Sequence, residues 1–216
     1  MFRNICSRAR AMVRGSDGQG NNEWLIFKIL NVMSEKRVIS AIKIKSLRYG
    51  EVLSAAPTAE TIAGLFTAAT EISNSHQDTF TYEEAEPTVN SYKNQLNGQV
   101  YRSDVEPGAV SISFSIGAYD FETKAAMQGG TVTAGTETAG EVWARSGGKG
   151  LIYKSLYALT EDNVCIVFPK ALISGRGVST DNAIAVAVKA TPEEISGTAI
   201  ASEYWFDVAG ESEIVG

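Results

Sequence analysis

The chain has 216 residues, 44% of them apolar, with 20 glycines, 5 prolines, 2 cysteines and 1 histidine. That size and apolar content support one substantial core and exclude global disorder, and two distant cysteines with a lone histidine exclude a disulfide framework and a Cys/His zinc centre. The net charge of −6 is unevenly spread: residues 1–48 carry ten Lys/Arg and three Asp/Glu (+7), and the remainder nine and twenty-two (−13). An acidic body of this kind repels nucleic-acid phosphates and argues against a DNA-binding groove.

Residues 1–33 read as a basic N-terminal arm or extension. The first fourteen are arginine-rich, Ser16 to Asn22 has loop composition, and Met33-Ser34-Glu35-Lys36 reads like a second chain start. Residues 34–216 then form one β domain. The apolar run Trp24 to Leu30 is short, interrupted by Lys28, and neither spans a membrane nor sits where a signal peptide would.

A first strand is expected over residues 38–45, with Ile42 and Ile44 on one face and Lys43 and Lys45 on the other. Residues 57–70 are ambiguous: Ile62, Leu65, Phe66 and Ala69 have helical spacing, which Gly64 and the threonines weaken. Residues 77–84 alternate as a strand that ends before Pro87. Asn97-Gly98 signals a tight turn between extended segments 89–96 and 99–106.

The clearest strand is Val110-Ser111-Ile112-Ser113-Phe114-Ser115-Ile116, in which every second residue is large and apolar. Asp120 caps a short helix over residues 121–128 that Gly129-Gly130 ends, with Phe121, Ala125 and Met127 toward the sheet. Strands are expected near residues 141–144, then as a hairpin over 151–160 and 164–168, then over 172–174. The alternating run Ala183 to Val188 and a last strand over 199–208 follow. Many short strands with one short flanking α-helix indicate a mainly β fold, a β-sandwich or barrel.

Little chemistry is attached to this frame. His76 reads as a polar loop residue ahead of a strand. Gly147-Gly148-Lys149 lacks the first glycine of a phosphate loop, and Gly150 stands where that loop needs Ser or Thr. Glu83, Glu84 and Glu86 form an acidic cluster, but Glu83 and Glu84 point to opposite faces of a strand and read as a solvated surface. Trp143 and Trp205 read as core or interface anchors. No catalytic, cofactor or metal site is expected, and the chain reads as a non-enzyme.

The stretch from His76 through Thr88, followed by Tyr92-Lys93-Asn94, resembles bacteriophage tail tube proteins. So do Val110 to Ile116 leading into Gly117-Ala118-Tyr119-Asp120 and a short helix, and the closing Ala201-Ser202-Glu203-Tyr204-Trp205-Phe206-Asp207. The resemblance covers roughly residues 34–208 in texture and order of elements, without a diagnostic motif. It implies a virion tail component, assembled in the host cytoplasm, whose stacked, hexameric rings enclose the tape measure protein and later conduct DNA. Tail terminator and baseplate or tail-tip proteins are the implied neighbours. Glu83, Glu84 and Glu86 are then candidates to line the channel, and Trp143 and Trp205 to contact neighbouring subunits. The alternatives are a capsid decoration or head–tail joining protein, and a monomeric ligand-binding β-barrel.

Overall fold

The computed structural model of the protein describes residues 39, 41, 43–147, 150–180 and 183–208. The chain divides into two units between Ile39 and Ser40, and every element below belongs to the second; the arm expected over residues 1–33 lies outside the described residues. In chain order the elements are β1 (Ile44–Gly50), α1 (Ile62–Ala68), β2 (Thr70–Glu71), β3 (Thr81–Glu84), β4 (Thr88–Lys93), β5 (Val100–Glu106), β6 (Val110–Ile116), α2 (Phe121–Gln128), β7 (Thr131–Thr133), β8 (Val142–Ala144), β9 (Ile152–Thr160), β10 (Val164–Thr180), β11 (Ala183–Pro192) and β12 (Tyr204–Asp207). The fold is mainly β, as expected, with antiparallel pairing throughout.

Eight strands form one sheet in the order β2-β1-β9-β10-β11-β6-β3, with β12 also on β10. The long strand β10 belongs to both halves of it. Its first residues, Val164–Val167, pair with β12, while Ala171–Thr180 pair with β11. A register shift against β9 between Phe168 and Ala171, where Pro169 removes a ladder donor, marks the break between them. Leu47, Leu156, Ile166 and Phe168 from the first half and Ile112, Phe114, Val186 and Val188 from the second share one buried core. The sheet therefore folds over on itself as a sandwich. Its terminal strands β2 and β3 do not pair, so among the described residues it does not close into a barrel.

The period of two assigns each strand face. In β6, Ile112, Phe114 and Ile116 are buried to 2% exposure or less, while Ser113 and Ser115 stay half-buried on the other side. Over residues 156–159 of β9 and 165–168 of β10 both faces are covered: Leu156, Ala158, Ile166 and Phe168 face the sandwich interior, and Tyr157, Leu159, Cys165 and Val167 face α1. Burying each large side chain contributes about 1.5–3 kcal/mol. The ambiguous segment at 57–70 resolves as α1. Seven residues are too few to be stable alone, and Ile62 and Phe66 anchor it on Tyr157, whose ring meets Phe66 edge-to-face at 6.4 Å.

Several boundaries differ from the sequence expectations. The first strand begins at Ile44, because Ala41 and Lys43 both have φ of +48°, and left-handed backbone cannot continue a ladder; Ile42 lies outside the described residues. The strand expected over 77–84 is confined to Thr81–Glu84, with Asp78 at φ +58° ahead of it. The tight turn at Asn97-Gly98 is instead a longer loop from Asn94 to Gln99, held by Asn94 N–H to Gln99 O at 2.7 Å and by the Asn94 and Asn97 side chains accepting from the backbone two residues on. The helix capped by Asp120 is α2, as expected, with Asp120 Oδ1 accepting from Thr123 N–H at 2.6 Å.

Candidate interaction surfaces

The hairpin β4–β5 is left largely without cover among the described residues. It forms its own two-stranded sheet, apart from the eight-stranded one. Val89 opposes Val105 across it, yet Val89, Val100, Tyr101 and Val105 are all more than half exposed, and Leu96 at the tip is 95% exposed. An isolated hairpin is marginal in water, and an apolar surface of this kind on one projecting element marks a contact site. The alternation was readable in the sequence; that no second layer covers either face among the described residues was not.

The acidic residues separate as their alternation requires. Glu83 pairs in register with Ser111, and Glu84 with Val110, so the two project from opposite faces of the edge strand β3. Glu86 lies exposed in the connection to β4. None of the three has an ion-pair partner among the described residues.

Trp205 is 47% exposed on β12 and meets Tyr82 of β3 edge-to-face at 5.6 Å. The Glu203 carboxylate accepts from Tyr82 Oη at 3.0 Å and from the Trp205 indole N–H. Burial first, then the negative Glu203, push the Tyr82 phenol up to about 12. This cluster joins the margins of the two sheet halves by side chains where no backbone ladder forms. Sequence reading singled out Trp205 but not Glu203, whose role depends on a residue 121 positions away.

Trp143 occupies a different setting. Its indole N–H donates to Gly129 O at 3.0 Å, just past the end of α2. Lys124 Nζ sits 4.2 Å from its ring centroid, and the Arg145 guanidinium 5.6 Å. The Gln128 amide, with its oxygen toward Arg145, accepts from Arg145 Nη2 at 3.2 Å and from Gly177 N–H at 3.0 Å. The ring is half-buried within its own chain, and what it presents outward is two cations. Neither has a carboxylate partner among the described residues.

A cleft of 710 Å³ lies beside β1 and is lined by Lys43, Lys45, Glu71, Ser75, His76 and Asp78 among others. The His76 backbone N–H donates to Ser115 O at 2.7 Å, its carbonyl accepts from Thr79 Oγ1 at 2.7 Å, and its ring Nδ1 lies 3.2 Å from Gln77 O. Burial pushes the Cys165 thiol up to about 12, so it is inert in the folded chain. Among the described residues no three His, Cys, Asp or Glu side chains come together as a metal site, and no helix is long and apolar enough to cross a membrane. The sequence matches no protein-family model and no curated protein.

Proposed function

We propose that the chain is a structural subunit of a bacteriophage tail tube, a non-enzymatic protein that assembles with copies of itself into stacked rings. The rings enclose a tape measure protein and later pass DNA. The observation that carries this reading is the hairpin β4–β5, whose apolar side chains have no cover among the described residues. A second copy supplies the missing layer. The unpaired outer margins of β2 and β3 fit the same logic, since an open sheet edge is a hazard in a monomer and an asset in a polymer. An acidic body suits a bore through which DNA slides without adhering. Of the alternatives, the ligand-binding barrel needs a closed sheet around a large cavity; here, among the described residues, the sheet is open and the space between its halves is filled by Ile112, Phe114, Phe168 and their neighbours.

Negative-stain electron microscopy of the purified full chain tests the proposal. Rings or tubes are the expected result. A monodisperse monomer at every accessible concentration contradicts it.

A further inference from the structure

We infer that the hairpin β4–β5 is an arm that turns as one piece about a hinge formed by Pro87 and Pro107. The inference goes beyond the self-assembly reading and does not depend on it.

The register places the hinge. Strands β3 and β6 pair up to Glu84–Val110, and β4 and β5 resume at Thr88–Glu106. Three rungs lie between, with no residue gained or lost on either side, so one ribbon runs from the sheet to the arm. In that ribbon Ala85 faces Ala109, Glu86 faces Gly108 and Pro87 faces Pro107. The Ala85 N–H donates to Ala109 O at 3.0 Å, which makes that pair a hydrogen-bonded rung. In an antiparallel ladder such rungs recur at every second residue, so the next one is Pro87–Pro107. Neither proline has an N–H to give. The ladder therefore loses both bonds at a rung that should hold two, and none can form before Val89–Val105.

Nothing else bridges the gap. Asn90 bonds Glu106, Ser91 meets Ser103, and Arg102 pairs with Asp104 and lies over Tyr92. These contacts are internal to the arm. Among the described residues no hydrogen bond, ion pair or ring contact joins residues 86–107 to the sandwich, and residues 85–93 are all exposed. The torsions of the connector are also unequal. Each proline fixes its own φ and holds the preceding Glu86 or Glu106 extended. Gly108 keeps the widest range, and a Cβ there would fall 1.6 Å from Ala85 O. Only glycine lets the two strands cross so closely just before the bonds stop.

The apolar side of the ribbon changes at the same rung. On the sheet side Tyr82 and Ile112 face the core, while Thr81 and Ser113 lie on the opposite face. On the arm Val89 and Val105 continue the row of Thr81 and Ser113, and the row of Tyr82 and Ile112 carries Asn90, Asp104 and Glu106. The arm is thus patterned separately from the sheet it continues. Turning at the hinge carries the Val89–Val105 face through a range of angles and leaves the sandwich core undisturbed.

Pulsed electron–electron resonance of spin labels in the dilute full chain tests the inference. In a Cys6→Ser background, Thr67→Cys with Ser91→Cys spans sandwich and arm, and Thr67→Cys with Ser174→Cys lies within the sandwich; all three labelled positions are exposed. The arm–sandwich distance distribution is expected to be at least about twice as wide as the sandwich–sandwich one. Pro87→Val with Pro107→Val returns both donors to the rung and is expected to narrow the first distribution to about the width of the second. An unchanged sandwich–sandwich distance shows that this variant folds. If the two distributions are equally narrow in the unaltered chain, the arm is fixed and the inference is wrong. If the arm–sandwich distribution stays as wide in the folded valine variant, the motion does not turn on the proline rung and the inference is equally wrong. Neither result bears on whether the chain assembles.

Discussion

Two glycines on β10 give opposite predictions for the same substitution. Gly175 and Gly177 lie on the same face of the strand, two residues apart, beneath the end of α2. A Cβ at Gly175 would stand 2.3 Å from Met127 O and 2.8 Å from its carbonyl carbon. These are backbone atoms and no rotamer change relieves them, so the end of α2 must retreat by about 1 Å to reach ordinary contact. Overpacking of that kind costs about 1–3 kcal/mol, offset by roughly 0.4–1 kcal/mol from the stiffer unfolded chain. Gly175→Ala should therefore destabilise by about 1–2 kcal/mol. At Gly177 a Cβ meets nothing within 4 Å, so Gly177→Ala keeps only the entropic gain and should stabilise by about 0.5–1 kcal/mol. For a chain of this length the melting temperature should fall by roughly 2–8 °C in the first variant and rise by roughly 1–4 °C in the second. Thermal unfolding followed by circular dichroism, below the concentration of assembly, measures both. If Gly175→Ala melts at or above Gly177→Ala, the packing of α2 on β10 is misdescribed.

Other outcomes follow from the same structure. Leu96→Asp with Val105→Asp should leave monomer stability within about 0.5 kcal/mol, since both side chains are exposed, and should abolish assembly in light scattering. Tyr82 has a phenol raised from 10.0 to about 12, so its contribution is complete below pH 10 and is lost as pH rises toward 12; Tyr82→Phe should flatten the alkaline decline in stability over that window, and an unchanged slope would refute the assignment. Asp120, held below its usual range by the Thr123 N–H and side chain, adds stability above about pH 4 that is lost on acidification. Asp120→Ala should cost about 1 kcal/mol at neutral pH and show a weaker acid dependence in urea titrations.

The central strands were legible because their chemistry is local. Val110 to Ile116 needs only its own period of two to separate Ile112 and Phe114 from the serines, and Asp120 and Gly129 frame α2 from adjacent positions. The start of β1 was misplaced because the left-handed backbone at Ala41 and Lys43 is written in no side chain. The length of β10 was underestimated because Pro169 reads as a stop, whereas a register shift carries the strand past it. The interaction surfaces were less legible still. Val89 and Val105 alternate as core residues do, and only the missing second layer marks them as contact residues. The cluster around Trp143 joins Lys124 and Gln128 of α2 to Trp143 of β8 and the adjacent Arg145, which no spacing rule connects.

Hydrogen–deuterium exchange of the full chain, dilute against concentrated, tests the central claim at the residues that carry it. The account predicts that backbone amides of residues 88–106 exchange rapidly in the dilute protein and become protected as particle mass grows, while those of β9 and β10 are slow in both. Unchanged exchange across the hairpin in an assembled sample, or a mass that never grows, would contradict it.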